Sequence, residues 1–303
     1  MLIADVCLLV FTVLAYIIPQ RKDQIDYVRE IVTANVGRIL ERKPHSLPGM
    51  TEFDNAKSVI LKNRFSLMLG YLADVLFSSD EMAFKQTIEF LIESIGQSEG
   101  IDEVVAMGCV DTVVIIVTDH DVAPRLLDHL DYILTQLSQL IGRVKFVNFF
   151  DFINDFVKLF AKPLAESQKI HFIMHAVINR ILAEQQAHVD GSHTDKSDMI
   201  IDKCCTNLRI CVENGNYMPA MKEQFEETLK PIFLYLGEPE KISFVDDILL
   251  IVKGMIRKSK QVTPLMWEIF EQFTKVITKS KGQLGDLFDT VNLYMVHGKE
   301  EFA

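Results

Sequence analysis

The sequence has few of the residues that break, turn or cross-link a chain. It holds 14 glycines and 9 prolines in 303 residues, below the usual shares of about 7% and 5%. This scarcity argues against a turn-rich β-sandwich or barrel and favours long helices. The five cysteines form no C-x-x-C pair, so neither a disulfide framework nor a zinc ribbon is indicated. With no N-x-S/T sequon either, a reducing compartment, cytoplasm or nucleus, is expected.

The short motifs of nucleotide and hydrolytic chemistry are also missing. The chain contains no G-x-x-x-x-G-K-[ST], no G-x-G-x-x-G and no G-x-S-x-G. Gly282-Gln283-Leu284-Gly285 has glycines but no phosphate-binding context. We therefore expect neither an enzyme nor a cofactor.

The charge of the chain is acidic. Its 31 Lys and Arg face 42 Asp and Glu, which gives a net charge of −11 and a pI near 5.2. A nucleic-acid backbone would be repelled over most of such a surface, whereas a basic protein would be attracted. We expect a basic protein partner and no direct binding of nucleic acid.

What the sequence does have is helical periodicity along nearly its whole length. Between Asp23 and Arg42, apolar residues recur every three or four positions, as on one stripe of an amphipathic helix. Thr263-Pro264 combines an N-cap residue with proline at the first helical position. Further helices are expected at about 53–78, 81–95, 101–118, 122–141, 146–161, 165–187, 198–213, 218–236, 242–258, 263–280 and 283–297.

Paired in order, these helices predict an all-α fold built as an α-solenoid. Hairpins that begin near 81, 123, 165, 218 and 263 are separated by steps of about 42, 42, 53 and 45 residues, the period of HEAT and armadillo repeats. Because one hairpin cannot bury its apolar stripe alone, each must stack on its neighbours. A single array of about six hairpins is expected over 1–303, at 2–41, 53–118 (with an offset pairing possible), 122–161, 165–213, 218–258 and 263–297, with a polar inserted loop at 189–197. A compact helical bundle is the competing all-α interpretation.

The amino-terminal stretch is apolar enough for a signal anchor to be weighed. Residues from Leu2 to Ile18 are apolar apart from Asp5 and Thr12. A signal peptide needs a basic region before the apolar run, but here Asp5 precedes every Lys and Arg. A core helix without membrane insertion is therefore favoured. Such an apolar first helix needs a covering element, so the chain is expected to start part-way through a larger protein.

Three groups of side chains are candidates for sites. His171 and His175 stand at i and i+4, but no third ligand follows at a standard spacing, so a helix surface is favoured over a metal site. Adjacent Cys204 and Cys205 point in different directions on a helix, which predicts one core and one boundary residue, and Cys211 fits the core stripe. The phenylalanines at helical spacing are interpreted as hairpin core rather than as an aromatic pocket: Phe146, Phe149, Phe150, Phe152, Phe156 and Phe160. Trp267 is likewise interpreted as packing.

Several segments resemble one family. Val245-Asp-Asp-Ile-Leu-Leu-Ile-Val-Lys-Gly254, followed by Lys260-Gln-Val-Thr-Pro-Leu-Met-Trp267, looks like the importin-beta superfamily (karyopherins), in the branch of importins seven and eight. Residues 203–214, Ser66-Leu-Met-Leu-Gly-Tyr-Leu-Ala-Asp74 and residues 1–40, with Lys22-Asp23-Gln24-Ile25, are similar to helices of that branch. The chain departs from the pattern at Leu69-Gly70-Tyr71, where the family has bulkier residues, and in its short length.

The resemblance covers only the middle to carboxy-terminal HEAT repeats of such a receptor. It implies a nuclear transport receptor fragment, present in cytoplasm and nucleus, that carries basic protein cargo and contacts FG-repeat nuclear pore proteins. It also implies the small GTPase Ran as a partner of the family, although the amino-terminal Ran-binding repeats have no counterpart here. A HEAT-repeat scaffold in another process, such as a phosphatase regulatory subunit or a vesicle-coat adaptor, is the alternative.

Acidic residues are the candidates for contact with cargo. In HEAT arrays of transport receptors the second helix of each hairpin usually lines the concave face, so the resemblance predicts that Asp151 and Asp155, and Asp246 and Asp247, look inward. Rows of carboxylates there could meet a Lys/Arg-rich cargo through complementary potential. A solvated helix face with nothing bound to it is the alternative.

Overall fold

The computed structural model describes residues 26–27, 30, 52–77, 81–96, 102–119, 123–192, 194–214, 219–234, 245–277 and 284–298. Within these ranges the fold is all-helical and holds no strand. Of the hairpin expected at 2–41, only Asp26, Tyr27 and Glu30 are described, and all three are helical. The apolar run from Leu2 to Ile18 lies outside the described residues. None of the described helices combines the length and the hydropathy needed to cross a membrane.

The chain divides into two compact units, Met1–Leu140 and Ile141–Ala303. The first unit contains α1 (Glu52–Tyr71), α2 (Ala73–Phe77), α3 (Glu81–Gly96), α4 (Asp102–Asp119), a 3-10 helix (Ala123–His129) and most of α5 (Leu130–Arg143). The second contains α6 (Asn148–Leu159), α7 (Ala161–Glu166), α8 (Ile170–Val189), α9 (Asp195–Asn214), α10 (Pro219–Leu234), α11 (Val245–Ser259), α12 (Pro264–Ile277) and α13 (Leu284–Gly298).

In the first unit α4 is the central helix. It packs against α1, α3 and the 3-10 helix, and α2 bridges α1 and α3. The crossing of α1 and α4 is close because glycines face it: a Cβ on Gly108 would lie 1.7 Å from Asn63 Oδ1, and one on Gly70 would lie 3.1 Å from Thr112 Cγ2.

A single arginine ties the 3-10 helix to the preceding helices. The guanidinium of Arg125 donates to the main-chain oxygen of Phe77 and to the carboxylate of Glu81, and it lies 4.7 Å from the centre of the Phe84 ring. The hydrogen bond from Arg125 lowers the pKa of the Glu81 carboxyl. The end of α2, the start of α3 and the 3-10 helix are thereby held together by one side chain.

In the second unit the helices lie in two rows. One row runs α6, α9, α11, α13, in which each helix packs against the next. The other runs α8, α10, α12 in the same way. The rows are joined by contacts of α8 with α9 and of α10 with α11. Residues far apart in sequence thus meet through neighbouring helices.

The interior of the second unit is apolar and aromatic. All six phenylalanines between Phe146 and Phe160 that were interpreted as core are buried, and their rings contact one another in sequence, ending with Phe156 against Phe160 at 4.9 Å between centroids. At the other end, Tyr294 packs between Trp267 and Phe270 and donates its hydroxyl to the Met266 oxygen at 2.6 Å. The prediction that the six phenylalanines form core is confirmed, and Trp267 packs against neighbouring rings as expected.

Helix ends follow the local signals in the sequence. The predicted cap at Thr263 is confirmed, because α12 begins at Pro264 and the hydroxyl of Thr263 accepts from the Met266 N–H at 3.3 Å. After α7, Gln168 takes a left-handed conformation with φ of 58°. The N–H groups of Gln168 and Lys169 then bond back to Ala165 and Leu164, as in a Schellman motif. The polar stretch expected as a loop over 189–197 is shorter, since α8 runs to Val189 and α9 begins at Asp195.

Candidate functional site: a charged face on one row of helices

The row α6, α9, α11, α13 carries the acidic residues that the sequence singled out. Asp151, half-exposed on α6, accepts from the ammonium of Lys203 on α9 at 2.6 Å. Asp155, one turn further on, is paired with Lys158 of its own helix at 3.2 Å. The structure therefore places Asp151 and Asp155 on one face of α6, and each has a cationic partner.

The second acidic pair lies on α11. The side chain of Asp246 lies outside the described residues. Asp247 is half-exposed and close enough to Cys205 of α9 for its charge to add to burial in raising the pKa of that thiol. Because α6 and α11 both pack against α9, the two acidic pairs flank this helix and do not form one continuous row.

The exposed side of α9 itself supplies carboxylates that sequence reasoning missed. Asp198 and Asp202 are exposed in its first half, one turn apart. Helical periodicity could have found them, since Asp195, Asp198 and Asp202 repeat at spacings of three and four. They extend the acidic surface from α6 onto the start of α9.

Further along the row the charge changes sign. A groove of about 120 Å³ separates the second half of α9 from α11. Its lining holds four cations, one carboxylate, one apolar side chain and a glycine: Arg209, Lys253, Arg257, Lys258, Glu213, Leu250 and Gly254. In a chain of net charge −11 this groove is a local basic site.

The cations of the groove differ in how far they are already paired. The ammonium of Lys253 donates to Asp289 of α13 at 2.7 Å, and this hydrogen bond is the main cause of the lowered pKa of the Asp289 carboxyl. Arg257 also acts on Asp289, but only through its charge. Within the described part of the chain, the buried Nε of Arg209 has no hydrogen-bond acceptor. Lys253 is thus neutralised in part, whereas the Nε–H of Arg209 is unsatisfied among the described residues.

A buried ion pair, also missed from the sequence, lies between the rows. Arg180 of α8 is paired with Glu184 at 2.7 Å, with side chains only 5% and 15% exposed. The same guanidinium donates to the main-chain oxygen of Ile141 at 3.2 Å. Glu184 follows Arg180 by one turn, so this pair fixes Arg180 in the interior. Its neighbours on α9 include Cys204, and the pair serves packing and not an accessible surface.

The two histidines weighed as metal ligands separate. His171 is buried and packs edge-on against Phe225 at 4.9 Å, whereas His175 is exposed. Both ring nitrogens of His171 lack a hydrogen-bond partner among the described residues, and burial, then the charge of His175, lowers its pKa. The expectation that both lie on a helix surface is wrong for His171, because α10 covers that turn of α8.

The cysteines are all interior where the structure describes them. Cys109, Cys204, Cys205 and Cys211 are buried and free. Burial raises the pKa of Cys109 and of Cys211 to about 12. One residue of the adjacent pair Cys204 and Cys205 was expected in the core and the other at a boundary. That expectation is wrong, since α9 is covered by α8 on one side and by α11 on the other.

The first unit has a larger cavity of about 290 Å³ with no evident chemistry. It lies between α3, the 3-10 helix and α5 and is lined by side chains of both charges: Lys85, Glu89, Asp128, His129, Asp131, Ile88 and Tyr132. Within the described ranges no three His, Cys, Asp or Glu side chains are grouped so that they could hold a metal ion. The charged face of the second unit remains the candidate site.

Comparison with known proteins gives no relative: no protein-family model matches the chain, and neither does any curated protein or solved structure.

Proposed function

We propose that this chain is a helical-repeat scaffold that binds other proteins and performs no catalysis. The observation that carries the proposal is the pair of stacked helical rows in Ile141–Ala303, in which each helix packs against the next of its own row. Stacking of this kind is the packing rule of solenoids, whose faces serve as extended binding surfaces. We therefore propose a HEAT-like solenoid as the finer description of the fold.

Within that class, the proposed role is that of a nuclear transport receptor of importin type that works between cytoplasm and nucleus. The support is the likeness of Val245–Gly254 and Lys260–Trp267 to importins seven and eight, together with the net charge of −11. The proposed cargo is a basic protein of the ribosomal or histone kind, met by Asp151, Asp155, Asp202 and Asp247. Ran and FG-repeat proteins are proposed partners through the family alone.

The second candidate is a scaffold of the same fold in another process, as in a phosphatase regulatory subunit or a vesicle-coat adaptor. The change in the sign of the charge along the α6, α9, α11, α13 row supports this second candidate. A surface with both signs of charge suits partners other than a uniformly basic cargo. The two candidates differ in whether basic nuclear proteins are bound in preference to others.

Binding of a Lys/Arg-rich histone-tail peptide, followed by fluorescence anisotropy, tests the proposal. Asp202→Lys with Asp247→Lys should weaken binding about tenfold, or about 1.4 kcal/mol. Glu226→Lys with Glu227→Lys on α10, which alters net charge equally, should change it less than threefold, or about 0.7 kcal/mol at most. Equal losses would show that net charge alone attracts the peptide. Binding that is as tight at about 0.5 M salt as at about 0.05 M would remove the electrostatic mechanism, because the Debye length falls to about 4 Å.

A further inference from the structure

We propose that the groove between α9 and α11 is a docking site for an acidic peptide segment of a partner protein. The inference rests on the proposed function only in that the chain binds protein segments. It names a second, oppositely charged surface beside the carboxylates of α6 and α9.

The lining of the groove is mainly positively charged. Arg209, Arg257 and Lys258 line it together with Lys253, and Glu213 is the one carboxylate in the lining. Arg257 and Lys258 are exposed at the last turn of α11, where cations also face the negative end of the helix dipole. Asp289 neutralises Lys253, which leaves an excess of positive charge on the other side chains.

Arg209 has a hydrogen-bond donor at the groove that is unsatisfied among the described residues. It is half-buried on α9, and within the described part of the chain its Nε has no acceptor. A buried donor without an acceptor is costly. A carboxylate brought to the groove would face the Arg209 guanidinium, which binds carboxylates through charge-assisted hydrogen bonds.

The floor and the volume of the groove suit a short peptide segment. At Gly254 no side chain projects from α11, and its Cβ position lies 3.4 Å from Val212 Cγ1 of α9, so the two helices are close at this part of the floor. Half-buried Leu250 gives the floor an apolar patch. A short extended segment with Asp or Glu beside a small apolar side chain fits these features, and a volume of about 120 Å³ admits side chains but not a folded element.

An acidic peptide is favoured over a nucleic acid by the rest of the surface. With a net charge of −11, a phosphate backbone that ran beyond the groove would meet Asp198 and Asp202 on α9. A peptide needs to place only two or three carboxylates and can end within the basic zone.

The test is the binding of a fluorescein-labelled eight-residue peptide of alternating Glu and Leu, measured by anisotropy on the full chain. Arg209→Glu with Arg257→Glu is expected to weaken binding at least tenfold. Lys196→Glu with Lys230→Glu, two exposed positions outside the groove with the same change in net charge, should change it less than twofold. Lys258→Glu alone, at an exposed site that cannot disturb the interior, should weaken it about threefold and guards against misfolding of the double variant.

Three results would overturn the inference: no peptide binding by the unaltered chain at about 0.05 M salt, equal losses in both double variants, or tighter binding of a single-stranded oligonucleotide of equal charge. The histone-tail peptide is titrated in parallel. If it binds and the acidic peptide does not, only the groove assignment fails. If neither binds, the proposed protein-binding function fails as well.

Discussion

At the scale of single residues, the structure explains why the described cysteine thiols are expected to react slowly. The four described cysteines lie in helix interfaces, where desolvation disfavours the thiolate that would react. Their spacing showed no motif, and burial gives the physical reason why none is needed: they act as small apolar side chains.

The thiols therefore provide a simple prediction. In a Cys7→Ser variant, reaction of Cys109, Cys204, Cys205 and Cys211 with a disulfide reagent at pH 8 should be slower in the native chain than in guanidinium by on the order of 100-fold, because it needs local opening. The measurement is the absorbance of the released thiolate over time. One thiol that reacts at the rate of the unfolded chain would show that its interface is not packed as described.

His171 gives a second prediction, on pH. Its pKa is lowered by burial in the folded chain, so the unfolded chain binds more protons once the pH drops below the ordinary value of 6.5. Stability from the neutral ring is thus complete above that pH and is lost as the pH falls toward the lowered folded pKa. Urea unfolding at pH 7.5 and 5.5 should show a smaller loss for His171→Leu than for the unaltered chain. His175→Leu should keep most of the loss, because burial and not the charge of His175 is the larger cause of the lowered pKa of His171. An unchanged pH dependence in His171→Leu would contradict the assignment.

At the scale of helices, close approach depends on small residues at particular crossings. Gly108 stands where α4 crosses α1, with Asn63 against it, whereas Gly142 in the last turn of α5 has no atom within 4 Å of its Cβ position. Both are helical, so alanine improves helix propensity at each by about 1 kcal/mol. The two positions differ only in that another helix crosses close to Gly108.

Alanine at the two glycines should therefore act in opposite directions. Gly108→Ala forces Asn63 to move and is expected to cost on the order of 1–3 kcal/mol of overpacking, while Gly142→Ala should stabilise by about 0.5–1 kcal/mol. Urea denaturation curves give both values. A stabilised Gly108→Ala chain would mean that α1 and α4 do not meet at Asn63.

Most helices could be predicted from the sequence because their signals are local. Period and stop residues placed α9, α10 and α13 within a few residues, and Thr263-Pro264 set the start of α12. The break within Ser66-Leu-Met-Leu-Gly-Tyr-Leu-Ala-Asp74 could not be predicted. Only the structure shows that the helix is interrupted between α1 and α2.

The site could be predicted only in part, for a physical reason. A sequence shows which residues share one face of a helix, but not which neighbour covers that face. Asp151 and Asp155 were found, yet their cations Lys203 and Lys158 were not, and the basic groove needs both Arg209 and Arg257, which are 48 residues apart in the sequence. Pairing across helices is a tertiary property.

At the scale of the whole molecule, the packing order makes a prediction about cooperativity. Tyr294 fills the end of the second unit beside Trp267, and Tyr294→Ala should cost about 3–5 kcal/mol. If helices depend on nearest neighbours, as in a solenoid, the loss stays near its origin. Amide hydrogen exchange should rise in α11, α12 and α13 and stay nearly unchanged in α8 and α9. Uniform acceleration from α6 to α13 would instead indicate one cooperative core, as in a bundle.

The charge of the whole chain and the charge of its face make separate contributions to binding. A net charge of −11 attracts any basic partner at long range and speeds encounter, whereas a defined face decides where the partner rests. Charge reversal at distant sites changes the first contribution, and protection of particular carboxylates reports the second.

Carboxyl footprinting tests the central claim, a protein-binding face on the α6, α9, α11, α13 row, most directly. The full chain is labelled with carbodiimide and glycine ethyl ester, with and without saturating histone-tail peptide, and the modified residues are counted by mass spectrometry. We predict that labelling of Asp155 and Asp202 falls several-fold with the peptide bound, while Glu223 and Glu227, exposed on α10 of the other row, are labelled as before. Protection of Glu223 and Glu227 with Asp155 and Asp202 unchanged, or equal protection of all four, would contradict the account.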